Sequence, residues 1–179
     1  MKQLKTLITF LLLAQFSVSL SAQSEKDKKI IKDADDAVAT LLEVNPSLRE
    51  YFDKSAGCVI FPNVGKGGFI VGGASGNGVL YEYGKKKGMA SVKELNVGLT
   101  AGGQALIEVI FFESKEEVDK FKEGKFTFDA GVSATAIKSG ESLDAKYKDG
   151  VAVFTHTKGG LMAEASVGGQ KFNYKPFKD

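Results

Sequence analysis

Histidine and cysteine, two residue types that often carry out catalysis, are scarce in this chain. It has one histidine, His156, and one cysteine, Cys58. No second histidine stands at a metal-ligand spacing from His156. We therefore expect no catalytic residue, no metal site and no cofactor, with His156 as a strand residue and Cys58 as a buried thiol that packs like a small apolar group. A hydrolase that uses the two as base and nucleophile is an alternative, and it requires that both side chains share one pocket.

Glycine strings beside lysine raise the question of a phosphate site, because backbone N–H groups and an ammonium can hold an anion. In Gly65-Lys66-Gly67-Gly68 the lysine is not followed by Ser or Thr, and strand-like sequence comes next. The string therefore does not match a P-loop. The glycines of residues 72–78 also fail as a dinucleotide fingerprint, because their flanks resemble two strands of a hairpin. We predict that these glycines shape the backbone and do not hold a ligand.

Lysines beside an apolar stripe indicate another kind of site, for an anionic lipid surface. Residues 24–45 contain no glycine or proline, and their apolar residues repeat at helical spacing. A basic amphipathic helix of this kind can lie in a membrane interface. Alternatively, the stripe packs on the rest of the protein and the lysines are solvated. With one loop lysine and an expected hairpin tip added, the predicted lipid-binding residues are Lys26, Lys28, Lys29, Lys32, Ile30, Ile31, Lys66, Lys85, Lys86 and Lys87.

The first 22 residues are typical of a secretory signal peptide. Lys2 and Lys5 precede an apolar run from Leu7 to Ala14, and small residues follow before Gln23. The run is too short to span a bilayer, so we expect export to the periplasm or the extracellular space, where the protein can be peripheral on a membrane. Without Lys2 and Lys5 the 24 basic residues become 22, which equals the 22 acidic ones. Any anion must then be bound by a local patch.

The remaining residues, 23–179, are predicted to form one domain, with a helical front over 24–54 and a β-rich body over 55–177. All 21 glycines lie at or after Gly57. Short helices are predicted over 47–54 and 114–123, and the second begins at Ser114 with the pattern of a capping box. The predicted fold class is α+β: an amphipathic helix packed on a curved, glycine-rich, mainly antiparallel sheet. The sequence does not determine whether this sheet closes into a barrel-like shape.

The body contains short apolar or alternating runs that predict strands. Glycine-rich turns are expected between them, at residues 76–78 and 85–88. Residues 105–112 are apolar on both faces except at Glu108, as in a central strand. A buried Glu108 must be paired or change its pKa, and the sequence does not name its partner. The predicted strands cover residues 57–61, 68–74, 78–84, 89–101, 104–112, 125–136, 150–157, 160–167 and 170–175.

Five motifs in order give the segment from about Ser55 to Phe177 a family resemblance. They run from Ala56 to Pro62, Lys66 to Gly73, Asn96 to Gln104, Gly124 to Ser133 and Lys158 to Leu161. In these motifs the chain resembles the SYLF domain, a lipid-binding module of bacterial exported proteins and of eukaryotic adaptors. The resemblance implies an α+β fold with a curved sheet, and lipid or membrane binding to which the first helix contributes in eukaryotic members. Actin binding belongs to the cytosolic fungal members and is not expected for an exported chain.

The sequence thus predicts an exported, non-enzymatic domain that binds anionic phospholipid or a membrane surface through local lysines and an apolar surface. Nucleic acid is not an expected partner. The alternative is a structural or protein-binding module of the envelope without a lipid ligand, and the sequence does not identify such a protein partner.

Overall fold

A computed structural model describes six stretches of the chain, and every structural statement below refers to them. Predicted features outside these stretches are the signal peptide and the strand over 160–167. Side chains are described throughout except at residues 66–67, 71–72, 95–97 and 104. The stretches are residues 25–67, 71–97, 104–128, 134–139, 146–157 and 169–177.

Two helices precede the sheet, as predicted. Helix α1 covers residues 25–44 and ends at Asn45, whose side-chain oxygen accepts a hydrogen bond from the Ser47 amide at 3.1 Å. The following Pro46 cannot continue the helix, because it has no amide hydrogen and restricts the residue before it. Helix α2 follows at Leu48–Lys54. Among the described residues no helix is both long and apolar enough to cross a membrane.

Seven strands form one open sheet in which β5 and β7 are the edges and β1 lies at the centre. The spatial order is β5-β6-β4-β1-β2-β3-β7. All neighbouring pairs are antiparallel except β5 and β6. The predicted class, α+β with a mainly antiparallel sheet, is confirmed, and the sheet does not close. The strands are β1 (Gly57–Gly67), β2 (Val71–Glu82), β3 (Lys85–Val97), β4 (Gln104–Phe112), β5 (Thr135–Ala136), β6 (Val151–Thr157) and β7 (Gln170–Pro176).

Two turn predictions were wrong, and one predicted strand is confirmed only in part. Residues 76–78 are not a turn, because β2 continues through them. The turn lies instead at Tyr83 and Gly84, where both residues have positive φ angles of 47° and 73°, as a two-residue hairpin of type I′ requires. Residues 85–87 consequently begin β3. Of the strand predicted over 125–136, residues 125–128 are irregular, Thr135–Ala136 pairs with β6, and residues 129–133 lie outside the described stretches.

The predicted start of the helix at Ser114 is confirmed, with Ser114 as its N-cap. Helix α3 covers Lys115–Lys122, and the hydroxyl oxygen of Ser114 accepts a hydrogen bond from the Glu116 amide at 3.2 Å. The same hydroxyl bonds the Glu117 carboxylate. Gly124 ends the helix with a φ of 68°, a conformation that glycine adopts without strain. The buried residues Val118 and Phe121 fix which side of α3 faces the sheet.

The sheet curls toward one face. Gln170 on β7 donates a hydrogen bond to Glu108 on β4 at 3.2 Å, although β1, β2 and β3 lie between these two strands. On a flat sheet four strand spacings would separate them by about 19 Å, which is beyond the reach of the two side chains. The face that carries Glu108 and Gln170 is therefore concave, and we call it the concave face.

Both faces of the sheet are covered by apolar layers. On the concave face the side chains of Val118, Phe121 and Phe126 pack against those of β1 and β4, such as Val59 and Phe112. On the opposite, convex face lies α1, which buries Ala34, Ala37 and Leu41 against side chains from β1, β2, β4 and β6. Successive side chains along each strand point to opposite faces of the sheet, so alternate residues pack in the two layers.

A substitution at Gly78 tests whether glycine is needed for the close approach of β1 and β2. A Cβ there would lie 2.2 Å from the carbonyl oxygen of Ile60 on β1, so Gly78→Ala must push β1 and β2 apart. We expect a loss of about 2 kcal/mol in the free energy of unfolding, measured by urea denaturation. Gly65→Ala is the matched control, because a Cβ there meets no atom within 4 Å. Equal stability of the two variants would contradict this explanation.

Candidate functional site

The lysines predicted in α1 are mostly held in ion pairs along the helix. Lys28 pairs with Glu25 at 2.8 Å, Lys29 with Asp33 at 2.7 Å and Lys32 with Asp36 at 2.5 Å. These pairs are exposed and add little to stability. They do compensate the positive charges locally, so this row of lysines presents a weak net field to an anionic surface.

The apolar residues predicted for membrane contact lie against the protein itself. Ile30 and Ile31 are half-buried and pack on the convex-face core, together with Val38 and Leu42. The structure therefore has the arrangement that the sequence left as the alternative, in which the stripe of α1 packs on the sheet. A membrane could receive this stripe only if α1 left the sheet.

The other predicted lysines are dispersed. Lys66 lies in β1 opposite Ala74 and Gln104, and its side chain lies outside the described part. Lys86 forms an ion pair with Asp35 at 2.6 Å, and Lys87 lies 4.0 Å from Glu82. Lys85 is exposed at the start of β3. The structure does not bring these residues together with the lysines of α1 into one site.

A different set of lysines forms the candidate site, which we call the β3–β7 basic patch. In the register of β3 and β7, Lys93 lies directly opposite Lys171, and Lys175 lies opposite Met89. These positions share the convex face, and each lysine is exposed. Within the described part of the chain, none of the patch lysines forms an ion pair. The patch consists of Lys26, Lys93, Lys171 and Lys175.

A groove of about 170 Å³, lined by both polar and apolar side chains, lies between α1 and the part of the patch that contains Lys175. Its floor includes a row of short polar side chains, Asn77, Ser91 and Asn173, which lie opposite one another on β2, β3 and β7. Lys26 and Lys175 line the same groove, and so does the half-buried Asp27. Amide and hydroxyl donors between two ammonium groups suit an oxyanion such as a phosphate.

The residue pattern of β7 indicates part of this patch, although its lysines are not neighbours along the sequence. In β7 the residues Lys171, Asn173 and Lys175 alternate with Phe172 and Tyr174, so the lysines take the solvent side of a strand whose other side is apolar. The pairing with Lys93 could not be read from the sequence, because the two residues are 78 positions apart and their register depends on the whole sheet.

The buried Glu108 belongs to a polar cluster on the concave face. Its exposed fraction is 0%, and Glu94 on β3 is exposed by only 2%. The side-chain amide of Gln170 donates to both carboxylates, at 3.2 Å each. A buried carboxylate requires such donors. This cluster ties β4 to the β3–β7 edge and thereby helps to fix the curvature that positions the basic patch.

Cys58 and His156 do not form a nucleophile and base pair. Cys58 lies opposite Phe111 on β4, whereas His156 lies opposite Ile107 on the same strand. Four residues along a strand separate the two positions by about 13 Å, and they line different cavities. The Nδ1 atom of half-buried His156 lies 3.4 Å from the Ile137 carbonyl oxygen, which fits the predicted strand residue with one polar contact.

The open antiparallel sheet, covered by helices on both faces, defines an α+β domain with a basic sheet edge. The family model described as "Las17-binding protein actin regulator" (Ysc84) matches residues 93–175. Beta cell expansion factor A of Aeromonas veronii is 31% identical over 142 residues, which cover 78% of this chain and 53% of that protein. The chain thus spans about half the length of this relative. It belongs to the SYLF family, as its motifs predicted.

The reactivity of the Cys58 thiol tests whether this residue is buried in the convex-face core. Burial raises the pKa of Cys58 to about 12, so the reactive thiolate is scarce in the folded protein at pH 8. We expect iodoacetamide to modify the native chain about 100-fold or more slowly than the urea-unfolded chain. Since an unfolded thiol ionises near pH 8.5, the stability should also fall as the pH rises above that value. Equal labelling rates would contradict the burial of Cys58.

Proposed function

We propose that this protein binds anionic lipid surfaces through the β3–β7 basic patch, as an exported and non-enzymatic domain. SYLF membership fits a lipid-binding or membrane-associated role, and proteins of this family are in general not enzymes. The observation that carries the proposal is the pair of exposed lysines, Lys93 and Lys171, directly opposite each other on neighbouring strands.

Like charges at directly opposite positions destabilise a sheet. A nearby carboxylate would relieve the repulsion, yet no ion pair to either lysine occurs in the described stretches, whereas Lys28, Lys29 and Lys32 of α1 have acidic partners one turn away. An external anion would supply the missing compensation. Lysines near an anionic membrane contribute about 1 kcal/mol each to binding.

The geometry supports a surface as the ligand more than a single small anion. The patch residues Lys171 and Lys175 lie four residues apart on an edge strand, a separation of about 13 Å. This span exceeds one phosphate group and suits several headgroups of a bilayer. The edge lysines and Pro176 also discourage pairing with another strand, so they keep the edge accessible to a membrane.

Replacement of three patch lysines by glutamine tests the proposal. The Lys93→Gln/Lys171→Gln/Lys175→Gln variant should lose about 3 kcal/mol of binding free energy, or about a hundredfold in affinity, for vesicles of phosphatidylglycerol and phosphatidylcholine. The measurement is vesicle flotation at 50 and 300 mM salt, with pure phosphatidylcholine vesicles alongside. Binding of the unchanged chain should weaken at the higher salt, because screening reduces exposed electrostatic attraction.

The matched control carries the same charge change in α1, as Lys28→Gln/Lys29→Gln/Lys32→Gln. We expect this variant to retain most of its vesicle binding, because its lysines are already paired. Equal losses in the two variants would show that only net charge matters and would overturn the assignment to the patch. Absence of binding to anionic vesicles by the unchanged chain would reject a lipid function and favour the protein-binding alternative.

A further inference from the structure

A second cavity lies between the helices and the opposite end of the convex face. It has a volume of about 330 Å³, at the lower end of the range for small-molecule sites. α1 contributes Val38 and Leu42 to its wall, α2 contributes Phe52, and β1 contributes Cys58 and Ile60. These side chains form an apolar interior that is continuous with the convex-face core.

The rim of this cavity carries one acid and one base without ion-pair partners in the described part of the chain. Arg49 and Asp53 lie one turn apart on α2, are exposed and line the cavity. On the same helix Glu50 and Lys54, at the same spacing, form an ion pair at 2.7 Å. Arg49 and Asp53 are therefore both available to charged groups of a ligand.

The third charged group on the rim is already neutralised. Asp35 accepts hydrogen bonds from the Tyr81 hydroxyl at 3.0 Å and from Lys86 at 2.6 Å. Burial, with the nearby Asp35 carboxylate, raises the pKa of Tyr81, so its hydroxyl remains a donor at neutral pH. The rim thus offers one positive and one negative charge, beside an apolar interior.

Tyr83 stands at the mouth of the cavity in an unusual conformation. It is 71% exposed, and no other large apolar or aromatic side chain in the described part of the chain is exposed. Its φ of 47° belongs to the two-residue turn between β2 and β3, which places its side chain beside the cavity. An aromatic ring at the entrance can pack against an alkyl chain that enters the cavity.

From these observations we propose that the cavity binds a single-chain zwitterionic amphiphile, such as lysophosphatidylethanolamine. The alkyl chain lies against the half-buried side chains of Val38, Leu42 and Phe52. Arg49 donates hydrogen bonds to the phosphate, for which its guanidinium geometry is suited. The carboxylate of Asp53 accepts from the primary ammonium of the headgroup. This function extends beyond membrane binding, because it requires one amphiphile in solution and no bilayer.

Filling the cavity tests the proposal directly. We expect the unchanged chain to bind lysophosphatidylethanolamine, below its micelle concentration, in isothermal titration calorimetry. Val38→Trp should reduce that affinity at least tenfold, because the indole occupies the chain site. Ala39→Trp is the matched control, since Ala39 is the exposed neighbour on α1 and should bind as the unchanged chain does. Thermal unfolding of both variants establishes that they are folded.

Further variants test the proposed contacts of Arg49 and Asp53 with the lipid headgroup. Arg49→Gln should weaken binding at least tenfold, whereas Lys54→Gln on the same helix should not. The unchanged chain should prefer lysophosphatidylethanolamine over lysophosphatidylcholine, whose trimethylammonium cannot donate a hydrogen bond, and Asp53→Asn should remove that preference. Binding by Val38→Trp at the unchanged affinity, or equal affinity of the unchanged chain for an uncharged monoacylglycerol, would overturn the proposal.

Membrane binding by the β3–β7 basic patch and amphiphile binding by the cavity can be tested independently of each other. Val38→Trp should still float with anionic vesicles if the β3–β7 basic patch carries membrane binding. Conversely, the triple glutamine variant of the patch should still bind lysophosphatidylethanolamine. A variant that loses both activities would show that the cavity and the patch are one site, which would overturn the inference of a separate amphiphile site.

Discussion

The central strands β1 and β4 carry large apolar side chains on both faces, and the rest of the architecture depends on this constraint. Phe61 and Phe112 face the concave side, whereas Ile60 and Phe111 face the convex side, and all four are fully buried. Each face must therefore be covered. Helix α3 and the phenylalanines after it cover one, and α1 with α2 covers the other. Exposure of either layer would return a large apolar area to water.

This constraint decides which surface is left for a ligand. Because α1 uses its apolar stripe to cover the sheet, Lys28, Lys29 and Lys32 remain outside in pairs with acidic residues of the same helix. The edge strand β7 has no further strand beyond it in the described sheet, and its convex side carries lysines without such partners. The gap between the two helices and the end of the sheet leaves the amphiphile cavity. Both proposed sites are thus consequences of how the sheet is covered.

The sequence predicted local features well and distant pairings poorly. Ser114 and Gly124 determine a helix by interactions within a few residues, so the limits of α3 could be inferred. The turn at Tyr83 was missed because tyrosine rarely takes a positive φ, and Gly76 to Gly78 were mistaken for a turn because their small size serves close approach between strands. The partner of Glu108, like that of Lys93, lies on a strand whose position depends on the complete order and curvature of the sheet.

The most direct measurement of the central claim asks which face meets the membrane. The chain has no tryptophan, so Asn173→Trp, between Lys171 and Lys175 of the basic patch, and Ile31→Trp in the stripe of α1 each give a single tryptophan. With anionic vesicles that contain brominated lipid, we expect quenching of the Asn173→Trp variant and little quenching of the Ile31→Trp variant. Strong quenching of the Ile31→Trp variant, with none in the Asn173→Trp variant, would contradict a membrane-bound state in which α1 stays on the sheet.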